Sequence, residues 1–127
     1  MTAEEWKEFT PYFSAKECGA EMNLDFMHKV FRLRLFLGAE MIVTAGYELT
    51  GHAKDSYHKQ GRAIDFWTHL PTRETMRKID QIGLFFGAGT YPYTAHHSFH
   101  IDDRPPEKYN RWKCSNPGDY IYLMERA

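Results

Sequence analysis

Cysteine is scarce in this chain: Cys18 and Cys114 are its two, they lie far apart, and they form no CxxC pair. That excludes a multi-disulfide scaffold and an all-cysteine zinc site, and leaves two buried reduced thiols as the expectation. Long apolar runs are also lacking. The first residues, "MTAEEWKEF", are acidic and carry neither a signal peptide nor a membrane anchor. The sequence therefore predicts synthesis in the cytoplasm and no membrane partner. An excess of basic charge is absent as well. The formal net charge is −1, which gives no electrostatic case for a nucleic-acid partner. Lys29, Arg32 and Arg34 fall in a helical pattern and read as a solvated face. No internal repeat, low-complexity tract or linker divides the chain, and 127 residues suit one domain.

What is present is an ordinary globular composition, 43% hydrophobic, that can bury a core. Aromatic residues gather between Phe85 and Phe99, which suggests a groove wall as well as core packing. "SAKE", Ser14 to Glu17, has the form of a capping box that opens a short helix. Asn23 caps a longer helix through Leu37, stopped by Gly38, with Leu24, Met27, Phe31 and Leu35 as its buried stripe. "MIVTAGY", Met41 to Tyr47, reads as a strand, residues 48 to 60 as a polar loop, and "AIDFWT", Ala63 to Thr68, as a second strand. Pro71 suits the first position of a helix that runs to about Ile82 before Gly83. "FFGAGTYPY" and "SFHIDD" are two further strand-like segments, followed by turns and a short tail. The sum is an α+β fold with a small, mostly antiparallel sheet and flanking helices.

The chemistry concentrates in "SYHKQGRAID", residues 56 to 65, and in "HIDDR", residues 100 to 104. His58 stands on the loop before the second strand, Asp65 on that strand, and His100 in another strand. Two imidazoles and a carboxylate are apt ligands for zinc and leave a fourth position open for water, the mark of a catalytic site. Gly61 lets the backbone turn between the first two ligands, and Ala63 leaves space on the face of Asp65. Ser56 is placed to hydrogen-bond a ligand or a substrate. Spacing alone does not bring His100 to His58, and a lone surface histidine before a strand is the plain alternative. Trp67, Tyr91 and Tyr93 are candidates for a groove wall, with core or rim packing the commoner reason for such residues.

These segments resemble the zinc D-Ala-D-Ala carboxypeptidase and peptidoglycan endopeptidase family, which shares its fold with the hedgehog signalling domain. The family pattern is S-x-H-x-x-G-x-A-x-D with a later H-x-D. Ser56, His58, Gly61, Ala63, Asp65, His100 and Asp102 match it. "YFSAKEC", "IVTAGY" and "GAGTYPYTAHHSFHIDDR" resemble the compact branch of the family in the same order, so the likeness spans nearly the whole chain. The resemblance implies that His58, Asp65 and His100 are zinc ligands, that the substrate is a peptidoglycan peptide, and that the reaction is amide hydrolysis.

Three positions depart from the pattern. Where many of the family's peptidases carry an acidic general base, three residues before the last histidine ligand, this chain has His97. Imidazole can serve as a base, yet on a regular strand His97 and His100 face opposite ways, so a bulge or bend is needed; His96 has the matching parity. Glu48 replaces an arginine that helps bind a substrate carboxylate, so it is either a displaced base or a surface acid. Lys54, Lys59 or Arg62 would have to supply the lost positive charge. Ala45 replaces a serine. Asp102 and Arg104 share the face of His100; Asp102 orients a ligand histidine, or the two form a surface pair. The expected function is a zinc peptidase, such as a phage or prophage lysis enzyme that reaches the wall through holes made by another protein. The other expectation is a catalytically silent zinc-holding relative that acts as a binding or phage structural module.

Overall fold

The structure is a computed structural model that describes residues 1–49 and 56–125. Its elements are α1 (Ala3–Lys7), α2 (Ala15–Cys18), α3 (Leu24–Leu37), β1 (Ile42–Ala45), a 3-10 turn (Tyr57–Gln60), β2 (Ala63–Trp67), α4 (Thr72–Ile82), β3 (Gly87–Tyr91), β4 (Ser98–Asp102), a second 3-10 turn (Pro106–Lys108), β5 (Asn110–Asn116) and β6 (Asp119–Glu125). The fold is α+β. The six strands lie in the order β1-β2-β4-β3-β5-β6, and every neighbouring pair is antiparallel except β3 with β5.

Local chemistry sets the helix ends. The Asn23 side chain accepts a hydrogen bond from the Phe26 N–H at 2.9 Å, and Gly38 closes α3 with φ 66°. Ser14 caps α2 by accepting from the Glu17 N–H. Pro71 precedes α4 as its N-cap rather than occupying its first turn. A full capping box between Thr2 and Glu5 opens α1, a helix the sequence reading did not include.

Two expectations need correction. Of the expected stripe of α3, Met27 is buried and Leu24 and Phe31 are partly buried against the core, but Leu35 is 56% exposed, and Phe26, Val30, Leu33 and Leu37 are buried instead. The helix carries apolar residues on more than one side: one side joins the core shared with the sheet, and Phe31 packs against Phe9 and Tyr12 of the N-terminal segment. The segment after residue 109 is not turns and a tail: β5 and β6 form an antiparallel hairpin that widens the sheet. Of the basic residues on α3, Arg32 is exposed, Lys29 approaches Asp103 at 3.8 Å, and Arg34 covers the Tyr12 ring.

Strand alternation divides the sheet into two chemistries. Ile64, Phe66, Ala88, Phe99 and Ile101 join the buried residues of α3 and Ile79 of α4 in the main core cluster. Asp65, His100 and Asp102 alternate with these residues and belong to the opposite face. Cys18 and Cys114 are free and buried, and burial pushes the Cys18 thiol up to about 12, which keeps it protonated and inert.

The phase of α3 is checked by denaturant unfolding. Leu33→Ala is expected to cost about 2–5 kcal/mol and Leu35→Ala less than about 0.5 kcal/mol. Equal losses would contradict the observed packing.

Candidate metal centre

Register brings the three motif residues together. Asp65 of β2 pairs directly across from His100 of β4. His58 enters from the 3-10 turn, whose N-cap Ser56 accepts a hydrogen bond from the His58 N–H at 3.2 Å. Gly61 ends that turn with φ 67° and packs against the backbone of residues 21–23, too tightly for any side chain. The result is a cluster in which Nε2 of His58 lies 3.2 Å, and Nδ1 of His100 2.9 Å, from the same Asp65 Oδ1. One ligand atom from each residue lies within 4.8 Å of the others. Ligands about 2.0–2.2 Å from a tetrahedral ion sit roughly 3.3–3.6 Å apart, so the cluster has the dimensions and donor chemistry to hold a divalent metal.

The atoms behind the ligands fix which nitrogen each histidine presents. Nδ1 of buried His58 donates to the Gly46 carbonyl at 2.8 Å, which leaves Nε2 aimed at Asp65. Gly46 packs against the Cys18 backbone so closely that an added Cβ would overlap it. Nε2 of His100 donates to Asp102 Oδ2 at 2.7 Å, which leaves Nδ1 facing Asp65. Asp102 is fully buried. Its charge is met by Arg104, through Nε at 2.9 Å, Nη2 at 2.8 Å and the backbone N–H at 3.1 Å. Asp102 thus holds the His100 ring and pairs with Arg104 in one chain of hydrogen bonds, but with Asp102 buried this is not the surface pair expected; such a chain is a common support for metal-ligating histidines.

Electrostatics follow from this arrangement. Burial disfavours charge on His100, but the hydrogen bonds to Asp102 and Asp65 outweigh it and raise the imidazole to about 9. Burial also opposes ionisation of Asp65, yet the bonds from His100 and His58 hold its carboxyl well below the usual carboxylate range. Asp102 is held low in the same way, against burial, by Arg104 and then His100.

Glycines make room for the surroundings. Across the sheet, Asp65, His100, Gly89, Trp112 and Tyr122 form one transverse row. A Cβ on Gly89 would overlap the Trp112 indole; lacking one, β3 lets Trp112 lean toward His100, with ring centroids 5.4 Å apart. Gly87 does the same for the Asp102–Arg104 pair. The Trp112 N–H donates to the Tyr91 hydroxyl at 2.9 Å, and the Arg104 guanidinium lies over the Tyr57 and Trp112 rings. Together they wall an open cleft of about 740 Å³ with His58, Asp65 and His100 on its surface.

The remaining candidates fall elsewhere. Ser56, Arg104, Tyr91 and Tyr93 border the cleft; Trp67, His97 and Glu48 are not among its lining residues. His97 is exposed and has a left-handed φ of 56°, a bend before β4 that nevertheless leaves it outside the lining of the cleft. His96 stacks on Trp67 with centroids 4.1 Å apart. Glu48 is half-buried and its N–H donates to the His58 carbonyl at 3.3 Å. Arg62 is bound to Asp103 and Gln60, so its charge is committed, and Lys59 does not border the cleft. Lys54 lies outside the described residues. Tyr57, Asn110, Trp112, Tyr120 and Tyr122 border the cleft but were not singled out by the sequence reading; alternating aromatic residues around the Pro117–Gly118 turn were the available signal.

Comparison with models of known families, with curated proteins and with solved structures returns no match.

Calorimetric titration with zinc should find one ion per chain, lost in His58→Ala and in His100→Ala. Asp102→Asn should weaken binding by about 10–100-fold, since it frees the His100 ring without removing a ligand. Unchanged affinity in His100→Ala would contradict the assignment.

Proposed function

We propose that this protein is a zinc-dependent peptidase that hydrolyses amide bonds in peptidoglycan stem peptides or crosslinks, related to the zinc D-Ala-D-Ala carboxypeptidases and endopeptidases its motifs resemble. The observation that carries the reading is the convergence of His58, Asp65 and His100, from three separate segments, on the surface of an open cleft. Two imidazoles and a carboxylate suit zinc and leave a coordination position for a reactant. Zinc held there supplies Lewis acidity, which activates water as a nucleophile and polarises a scissile carbonyl.

The chain's own groups do the rest. His58 Nε2, Asp65 and His100 Nδ1 hold the ion. The Gly46 carbonyl and Asp102 keep the other ring nitrogens protonated, so neither histidine can rotate away without losing a hydrogen bond. Trp112 and Tyr91 form the wall against which a peptide lies, and Arg104 braces Asp102 from the same side. Proton transfer is assigned to His97, which has the family's offset from His100 and sits at a bend beside β4; Glu48 is the other candidate.

One observation favours a second reading. Among the described residues that line the cleft, Asp65 is the only carboxylate, and neither His97 nor Glu48 is among them. A zinc-holding binding module, catalytically silent, fits that wall equally well.

Turnover of purified peptidoglycan separates the two. The zinc-loaded protein should release new amino or carboxyl termini, and His58→Ala should not. His97→Ala should lower turnover by about 10²–10⁴-fold, the usual worth of a positioned base, with zinc still bound. Normal turnover in His97→Ala would transfer the role to Glu48, checked with Glu48→Gln, and no hydrolysis by the parent protein would establish the silent module instead.

Chelation gives an independent check by thermal unfolding. The ligands come from a loop and two strands separated by α4, so removal of zinc should lower Tm through ligand linkage. An identical melting curve after verified metal removal would contradict a stabilising ion.

A further inference from the structure

We propose that the β5–β6 hairpin is a saccharide-binding subsite continuous with the metal centre, on which Tyr120 and Tyr122 stack against sugar rings. Tyr93, Tyr120 and Tyr122 are 45%, 48% and 58% exposed, and all three border the cleft that holds His58, Asp65 and His100. Single exposed aromatics are ordinary, but three around one cleft form a patch that calls for an occupant. Register places them there. Tyr122 pairs with Trp112 and Tyr120 with Cys114, so both share the face of Trp112, while Ile121 pairs with Lys113 and turns the other way. Two residues along a strand separate the tyrosines by about 6.8 Å, close enough for both rings to contact one oligosaccharide.

The chemistry of the wall selects the ligand. It offers flat ring faces together with the neutral hydroxyls of Tyr93, Tyr120 and Tyr122, while those of Thr94 and Ser98 are bonded to each other and to the backbone. Its carboxylate, Asp65, is held by two histidines, and its guanidinium, on Arg104, is engaged with Asp102. Among the described residues of the cleft wall both charges are thus already met by a neighbour, and a purely apolar ligand would desolvate the hydroxyls of Tyr93, Tyr120 and Tyr122. A pyranose satisfies both demands, because it has an apolar C–H face to cover a ring and equatorial hydroxyls to meet hydroxyls. The choice of an N-acetylated sugar as probe rests on the peptidoglycan reading above.

The test is titration of the zinc-loaded protein with chitotetraose, followed by tryptophan fluorescence, since Trp112 sits in the cleft. Saturable binding is expected. Tyr120→Ala and Tyr122→Ala should each weaken it by about tenfold or more, and Tyr122→Phe, which keeps the ring but loses the hydroxyl, should weaken it less than Tyr122→Ala. NMR of the unsubstituted protein supplies a reading free of folding effects: the sugar should shift the Tyr120 and Tyr122 ring signals. Absence of saturable binding, unmoved ring signals, or full affinity in both alanine variants would overturn the subsite. Cleavage of a sugar-free stem peptide reports separately. Its absence with chitotetraose binding intact removes the peptidase reading and leaves the subsite, whereas cleavage without sugar binding removes the subsite alone.

Discussion

The pairing of β2 with β4 is the constraint on which the site depends. Antiparallel register sets Asp65 opposite His100 and Ala63 opposite Asp102. A slip of one residue would send these polar groups into the core and bring Ile64, Phe66, Phe99 and Ile101 to the cleft. The same alternation that buries the aliphatic face therefore locks the ligand geometry. Core packing and site assembly are one event, and the candidate metal-binding group is specified by hydrophobic burial on the far side of the sheet.

The buried carboxylate of Asp102 extends that logic. An unpaired charge at this depth would be strongly unfavourable. Its partners Arg104 and His100 are fixed in turn by the need to satisfy it. Gly87 and Gly89 follow from the same requirement: both lie where a side chain would displace the Asp102–Arg104 pair or Trp112. The "GAG" of β3 thus serves as a relief cut in the sheet that lets the cleft wall lie close to His100.

Much of this was legible in the sequence because local signals were strong. Asn23 and Gly38 mark α3 to the residue, and Gly61, with its left-handed φ, marks the turn between His58 and Asp65. The trio His58, Asp65 and His100 came from the family resemblance, while the meeting of His100 with His58 depends on strand pairing across α4 and had to come from the fold. The phase of α3 was ambiguous because Leu35 and Phe36 place apolar side chains toward solvent. The β5–β6 hairpin was missed because charged and polar residues interrupt its alternation, although Pro117 and Gly118, with φ 78°, supply a turn. The hydrogen bond of His58 to the Gly46 carbonyl had no sequence signal, since any residue offers a carbonyl.

The central claim is that His58, Asp65 and His100 together bind one metal ion. X-ray absorption at the zinc edge, on the stoichiometric complex, tests it most directly. The account predicts a first shell of nitrogen and oxygen at about 2.0–2.2 Å with the outer-shell scattering of two imidazoles. A sulfur contribution near 2.3 Å, or a shell of oxygens without imidazole, would contradict it.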